Sequence, residues 1–175
     1  ALLSGAISPE RYLGGIPSLE ALERELLHLK GEDAFRRLFF DPAEAGRFAA
    51  LSRKIHAFLA EEDRLLEENQ GRFSTVDLEA INQGLLLIRD LVWGLERDIL
   101  GNIERIIRLA GASEVGDVAP EAFPKYREMN SLLNCLDRLE VRGRDSAGIQ
   151  ISFIPADAGV LGEVMTGLAK AGLEG

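Results

Sequence analysis

The chain has 175 residues, 46% of them apolar and 28% charged, a globular composition at the length of one ordinary domain that buries roughly 70% of its unfolded surface. No apolar run approaches the ~18 residues of a membrane span, and Ala1-Leu2-Leu3-Ser4-Gly5 has neither the basic start nor the apolar core of a secretory signal, so a cytoplasmic setting is expected. A net charge of −9 repels nucleic acid and anionic membranes, and one cysteine with two histidines offers no internal disulfide and no convincing zinc cluster; no nucleic acid, membrane, metal or cofactor is expected.

Ser18 precedes a stretch in which Leu19, Leu22, Leu26 and Leu29 recur at helical spacing, and Gly31 supplies a stop, so a short amphipathic helix beginning at Ser18 is predicted. The Gly14-Gly15 pair before it follows no clear strand and lacks the lysine and hydroxyl of a phosphate-cradling loop, which makes it a turn. Asp41, Pro42 and Glu44 read as N-cap, first helical residue and partner of a capping box. Phe48, Leu51, Ile55, Phe58, Leu59, Leu65 and Leu66 then keep the helical period to about Asn69, and Gly71 ends it. Ser74 with Asp77 opens the longest segment, whose stripe of Ile81, Leu85, Ile88, Val92, Leu95, Ile99, Ile103 and Ile106 runs nearly to Gly111. Two helices of roughly 27 and 35 residues, about 40 and 50 Å long and joined by a few residues around Gly71, form an antiparallel hairpin. Gly84, Gly94 and Gly101 interrupt the longer one; each costs up to about 1 kcal/mol of helix propensity unless it permits close packing or marks a kink, and packing is the favoured reading. Trp93 is read as an anchor in the hairpin core.

Residues 111–124 read as a connection, after which Pro124 opens a helix with Tyr126, Met129, Leu132, Leu133, Leu136 and Leu139 towards the core. Cys135 falls inside that helix and is expected to be a buried structural thiol; His28 and His56 are read as surface or helix-end residues. Further on, Ile149, Ile151 and Phe153 alternate with Gln150 and Ser152, the period of a half-buried strand, closed by Pro155. The tail from Gly159 carries a weak helical pattern through Val160, Leu161, Val164, Met165 and Leu168. A lone strand leaves its backbone groups unpaired, so a second copy or the rest of a longer polypeptide is expected to complete the sheet.

The most specific local signal is Arg138-Leu139-Glu140-Val141-Arg142-Gly143-Arg144-Asp145-Ser146-Ala147-Gly148. It resembles the Arg-Leu-Glu-Tyr-Arg-Gly-Tyr-Asp-Ser-Ala-Gly run that ends a helix in the glutaminase domain of isomerising glutamine-fructose-6-phosphate aminotransferases, the glucosamine-6-phosphate synthase family. Nine of the eleven positions match, with Val141 and Arg144 in place of the two tyrosines; the resemblance, taken over residues 132–151, covers about a tenth of the chain. The resemblance implies a class II glutamine amidotransferase on an N-terminal nucleophile hydrolase fold, in which an N-terminal cysteine attacks glutamine, its own amine serving as base, and ammonia passes to a sugar-phosphate isomerase domain. Residue 1 here is alanine, the family's opening Cys-Gly-Ile is absent, and the later motifs of the glutamine and oxyanion sites do not occur. The expected fold class is therefore mainly α, a long helical hairpin and bundle with a short helix-strand fragment of the α/β sandwich: residues 1–120 a helical insertion or accessory module, 121–175 a fragment of the glutaminase-like domain. The isolated chain is expected to be inactive, with the remainder of the parent polypeptide as partner and glutamine and a sugar phosphate as the parent's substrates; the alternative is a helical scaffold or homo-oligomerisation module.

Within the run, Arg138, Glu140, Arg142, Gly143, Asp145, Ser146 and Gly148 are the candidate residues, and all are read as structural. Arg142 and Asp145 span a glycine-containing turn that an ion pair would fix, a direct ligand role being the other possibility. Ser146 caps or bonds local backbone, and Gly143 and Gly148 allow close approach or an unusual torsion. Glu61, Glu62, Asp63, Glu67 and Glu68 form a charged cluster that reads as a solvated helix face rather than a divalent-ion site.

Overall fold

A short 3₁₀ turn over Pro9–Gly14 leads into the first helix of the computed structural model, which describes residues 7–140 and 157–172. Leu13, Gly14 and Gly15 all take positive φ there. A Cβ on Gly15 would stand 2.9 Å from the Glu10 carbonyl oxygen, so the turn requires glycine at that place. Helix α1 (Ile16–Leu29) starts at this turn, ahead of Ser18. Ser18 is inside the helix, and its hydroxyl donates back to the Gly14 carbonyl at 2.8 Å instead of capping.

Gly31 is less a stop than a hinge, because α2 (Glu32–Phe39) begins directly after it. Glu32 and Asp33 sit at its N-terminal end and Arg36 and Arg37 at its C-terminal end, the arrangement that complements the helix dipole. Ala34, Phe35, Leu38 and Phe39 form one fully buried face. Asp41 then caps α3 (Pro42–Asn69), accepting from the Glu44 amide at 2.9 Å. Glu44 does not reach back to complete a box; its carboxylate takes the Arg47 guanidinium. The box is complete at Ser74, whose hydroxyl accepts from the Asp77 amide while Asp77 accepts from the Ser74 amide.

From there the backbone stays helical for 35 residues as α4 (Thr75–Gly94), a wide π-turn (Leu95–Leu100) and α5 (Gly101–Leu109). The Gly101 amide reaches the Glu96 carbonyl, five residues back, and a Cβ on Gly101 would stand 3.1 Å from that oxygen. The apolar stripe survives the wide turn: all its members from Ile81 to Ile106 are buried except Ile88, which is half-buried. Two cores form along it. Leu59, Ile81 and Leu85 gather Leu13, Leu66 and Phe73 at one end; Leu95, Ile99, Ile103 and Ile106 meet Phe35, Phe39, Val118 and Phe123 at the other. Phe123, fully buried, stands 4.8 Å from the Phe39 ring and 5.5 Å from the Phe40 ring, centroid to centroid.

Cross-links to the long helix fix the direction of each neighbour. Asp63 pairs with Arg89, and Ser52 and His56 with Glu96, so α3 runs antiparallel to the long helix, as its predicted hairpin requires. Leu19 approaches Gly84, Leu26 approaches Gly94, and Lys30 donates to Asp98 at 2.6 Å, so α1 lies parallel to it. After the connection, α6 (Phe123–Glu140) packs its first turns against α2 and α5. Tyr126, Met129 and Leu133 are half-buried as expected, but Leu132 is 52% exposed.

The chain divides into one compact unit over residues 1–134 and a second over 135–175. The described part of the second comprises the end of α6 and α7 (Ala158–Lys170), whose N-cap Asp157 accepts from the Val160 amide at 2.9 Å. The fold is mainly α-helical, with no strand among the described residues. The strand expected over 149–153 lies outside them.

Candidate functional site

Among the polar or open places that more than one element builds on the first unit, three stand out. The first is a groove between α1 and α4, enclosing about 270 Å³. Leu19, Leu26 and Gly94 make its floor; a Cβ on Gly94 would stand 2.9 Å from Leu26 Cδ2, so the floor is this low only because residue 94 is glycine. Leu27 and Trp93 stand on its lips, 55% and 61% exposed. Glu23 lines the α1 wall and Asp90 the α4 wall, and Lys30 pairs with Asp98 along the same groove. Trp93 is therefore a surface residue and not the core anchor expected of it. Val92 occupies the inward row, and the next residue is turned about 100° away from it.

The second place is Ser52, His56 and Glu96, where α3 meets the π-turn. These are the residue types of a hydrolytic relay, but the connections are wrong for one. A relay needs serine to donate to histidine, with the carboxylate behind the ring. Here the Ser52 hydroxyl and His56 Nε2 both donate to Glu96 Oε1, the latter at 2.9 Å, and Ser52 is only 2% exposed. The Ser52 hydroxyl, and then the His56 ring, hold the Glu96 carboxyl below its ordinary value by stabilising its charged form. The cluster is a clasp between two helices.

The third is a polar seam along α6. Arg127 donates to the Lys30 carbonyl at 3.4 Å, and Asn134 accepts from Arg105 at 2.8 Å and donates to Asn102 at 2.9 Å. Between them Asn130 is 3% exposed, and its Oδ1 finds no hydrogen-bond partner, a burial that costs about 1–3 kcal/mol. Sequence reading sought apolar positions on this helix and passed over Arg127, Asn130 and Asn134, although their i, i+3, i+7 spacing is itself a helical period.

Of the residues singled out from the sequence, Arg138 lies exposed in the last turn of α6. Glu140 is the last residue of that helix. Arg142, Gly143, Asp145, Ser146 and Gly148 lie outside the described residues, so the expected Arg142–Asp145 turn does too. Cys135 is exposed, not buried; the inward row passes through Met129, Leu133 and Leu136 and leaves residue 135 to one side. His28 and His56 are both exposed, His28 in the last turn of α1. The acidic cluster on α3 is engaged by side chains around it. Arg64 bridges Glu61 at 2.6 Å and Glu68 at 2.5 Å, and its hydrogen bond keeps the Glu61 carboxyl low; Asp63 holds Arg89, and Tyr12 donates to Glu62. Burial, then the Glu62 carboxylate, pushes the Tyr12 phenol far above its ordinary value, so it stays a donor.

Among the described residues no group of three or more His, Cys, Asp or Glu is placed to hold a metal ion, and no helix is long and apolar enough to cross a membrane. Comparison with family models, curated proteins and solved structures finds no match to this chain.

Proposed function

We propose that the chain belongs to a glutamine-dependent aminotransferase resembling glucosamine-6-phosphate synthase, and that residues 1–120 are a non-catalytic helical module ahead of the glutaminase-type element over 121–175. The run from Arg138 to Gly148, matching the family pattern at nine of eleven positions, carries this reading. A helix that ends in that run is what the family pattern calls for, and α6 extends through Leu139 and Glu140 into it. The module contributes packing and position; its Ser52-His56-Glu96 cluster is wired as a clasp. The parent would take glutamine and a sugar phosphate in a cytoplasmic setting, with Arg142, Asp145 and the glycines of the run shaping its turn.

The test is glutamate release from glutamine by the uninterrupted gene product, with and without fructose 6-phosphate, beside the present chain alone. Glutaminase activity in the former and none in the latter is expected. An intact gene product without glutaminase activity overturns the family reading, and turnover by the present chain that Cys135→Ser abolishes overturns the non-catalytic one.

A second reading, a scaffold that associates through its helices, is favoured by the exposed Leu27, Leu86 and Trp93 on α1 and α4. Sedimentation across a wide concentration range tests self-association; a monomer throughout removes that form of it.

A further inference from the structure

We propose that the groove between α1 and α4 docks a basic amphipathic helix of another protein, its apolar side chains seated between Leu27 and Trp93 and its lysines or arginines against Glu23 and Asp90. The inference rests on the scaffold reading and names the occupant. Tryptophan is the residue type in which interface hot spots are most enriched, and here Trp93 stands on the lip of an apolar floor opposite Leu27, both side chains more than half exposed. The floor lies close to the α4 backbone because Gly94 has no Cβ to hold the Leu26 side chain off it.

Charge selects the occupant. Glu23 and Asp90 stand one on each wall, and neither has an ion-pair partner among the described residues, whereas Lys30 is taken by Asp98. The walls thus present unneutralised carboxylates on a chain that is already at −9. A second copy of the same chain brings like charge to them, while a basic helix neutralises both. The lining runs from residue 19 to 30 along α1 and from 87 to 98 along α4 and the π-turn, about 17 Å on each side at the helical rise, the length of about three turns of a docked helix.

Trp93 is the only tryptophan in the chain, so its fluorescence reports on the groove alone. The probe is a synthetic peptide of about 18 residues with leucine at i, i+3, i+4 and i+7 and lysine on both flanks, titrated into the full chain at low and high salt. A saturable blue shift that weakens with salt is expected, with no shift from a peptide carrying glutamate in place of lysine. Reversing both walls with Glu23→Lys and Asp90→Lys is expected to weaken binding at least tenfold while circular dichroism and Tm stay unchanged; Leu27→Ala, which leaves the reporter in place, is expected to weaken it as well. Equal binding of the acidic peptide, or undiminished binding to the charge-reversed chain, overturns the proposal. Sedimentation of the same samples separates it from its premise. A dimer whose Trp93 shift needs no peptide overturns the basic-helix occupant and leaves the scaffold reading standing, and a monomer silent to every peptide overturns both.

Discussion

Replacing Gly84 and Gly94 separately measures how closely α1 lies on α4. Alanine in a helix interior gains about 1 kcal/mol over glycine. At position 84 the added Cβ would stand 3.7 Å from Leu13 Cδ1 and 4.0 Å from Leu19 Cδ1, ordinary van der Waals contact, so the gain is kept and Gly84→Ala is expected to stabilise the fold by about 1 kcal/mol. For a cooperative unit of this size that is a rise in Tm of about 4 °C. At position 94 the Cβ would stand 2.9 Å from Leu26 Cδ2. Leu26 is half-buried and its tip can rotate, which costs about 1 kcal/mol and cancels the propensity gain; Gly94→Ala is expected to be near neutral. Gly94→Val adds two γ-carbons against the same side chain and is expected to destabilise by about 2 kcal/mol. Urea unfolding followed by far-UV circular dichroism gives all three from the midpoints at constant slope. A stabilised or neutral Gly94→Val, or a Gly84→Ala that falls as far as Gly94→Val should, would refute the parallel packing of α1 on the long helix.

Phe123→Ala removes a ring shared by Phe35, Phe39 and Phe40; a loss of about 3–5 kcal/mol by the same unfolding measurement is expected, and a loss below about 1 kcal/mol would mean that α6 does not close this core. Glu96→Gln tests the clasp through pH. The folded-state carboxyl sits below its unfolded value, so its contribution is complete above that unfolded value, about 4.3, and is lost as pH falls through the folded one. The stability gap between the parent chain and Glu96→Gln is expected to be widest near neutrality and to close on acidification; a gap that widens in acid contradicts the assignment. Cys135, being exposed, is expected to react with a chromogenic disulfide reagent in the folded chain at the rate of a free thiol, and reaction only after denaturant is added would restore the buried thiol that the sequence suggested.

What was legible in the sequence was whatever repeats over several turns. The stripe from Ile81 to Ile106 spans some seven helical turns, and the caps at Asp41 and Ser74 are written in the residue types that accept from a free helix amide. Helix α2 was hidden because its eight residues, set between a glycine and an Asp-Pro pair, show barely two turns of periodicity, too little to outweigh the reading of Gly31 as an end. The π-turn was hidden for the opposite reason: it changes the backbone hydrogen bonding while the apolar stripe passes through it unbroken. Asn130 and its neighbours escaped because buried polar groups leave no mark in a search for apolar spacing. For Trp93 and Cys135 the signal was present and was overruled by residue type. Each lies beside an inward position, Val92 and Leu136, and period alone put both outside.

The groove follows the same logic one step further. Leu26-Leu27, Leu86-Leu87 and Val92-Trp93 are apolar pairs of adjacent residues on α1 and α4, and neighbours on a helix point about 100° apart. One member of each pair is turned inward, half-buried or fully buried, while Leu27, Leu86 and Trp93 are left exposed. An amphipathic helix that serves only its own core has no use for a second apolar row, and polar residues there would raise solubility at little cost to the fold. The doubled pattern is therefore a part of the sequence that packing within this unit does not explain. Two members of that second row, Leu27 and Trp93, line the groove together with Glu23 and Asp90, which places exposed apolar surface and unneutralised charge in one groove.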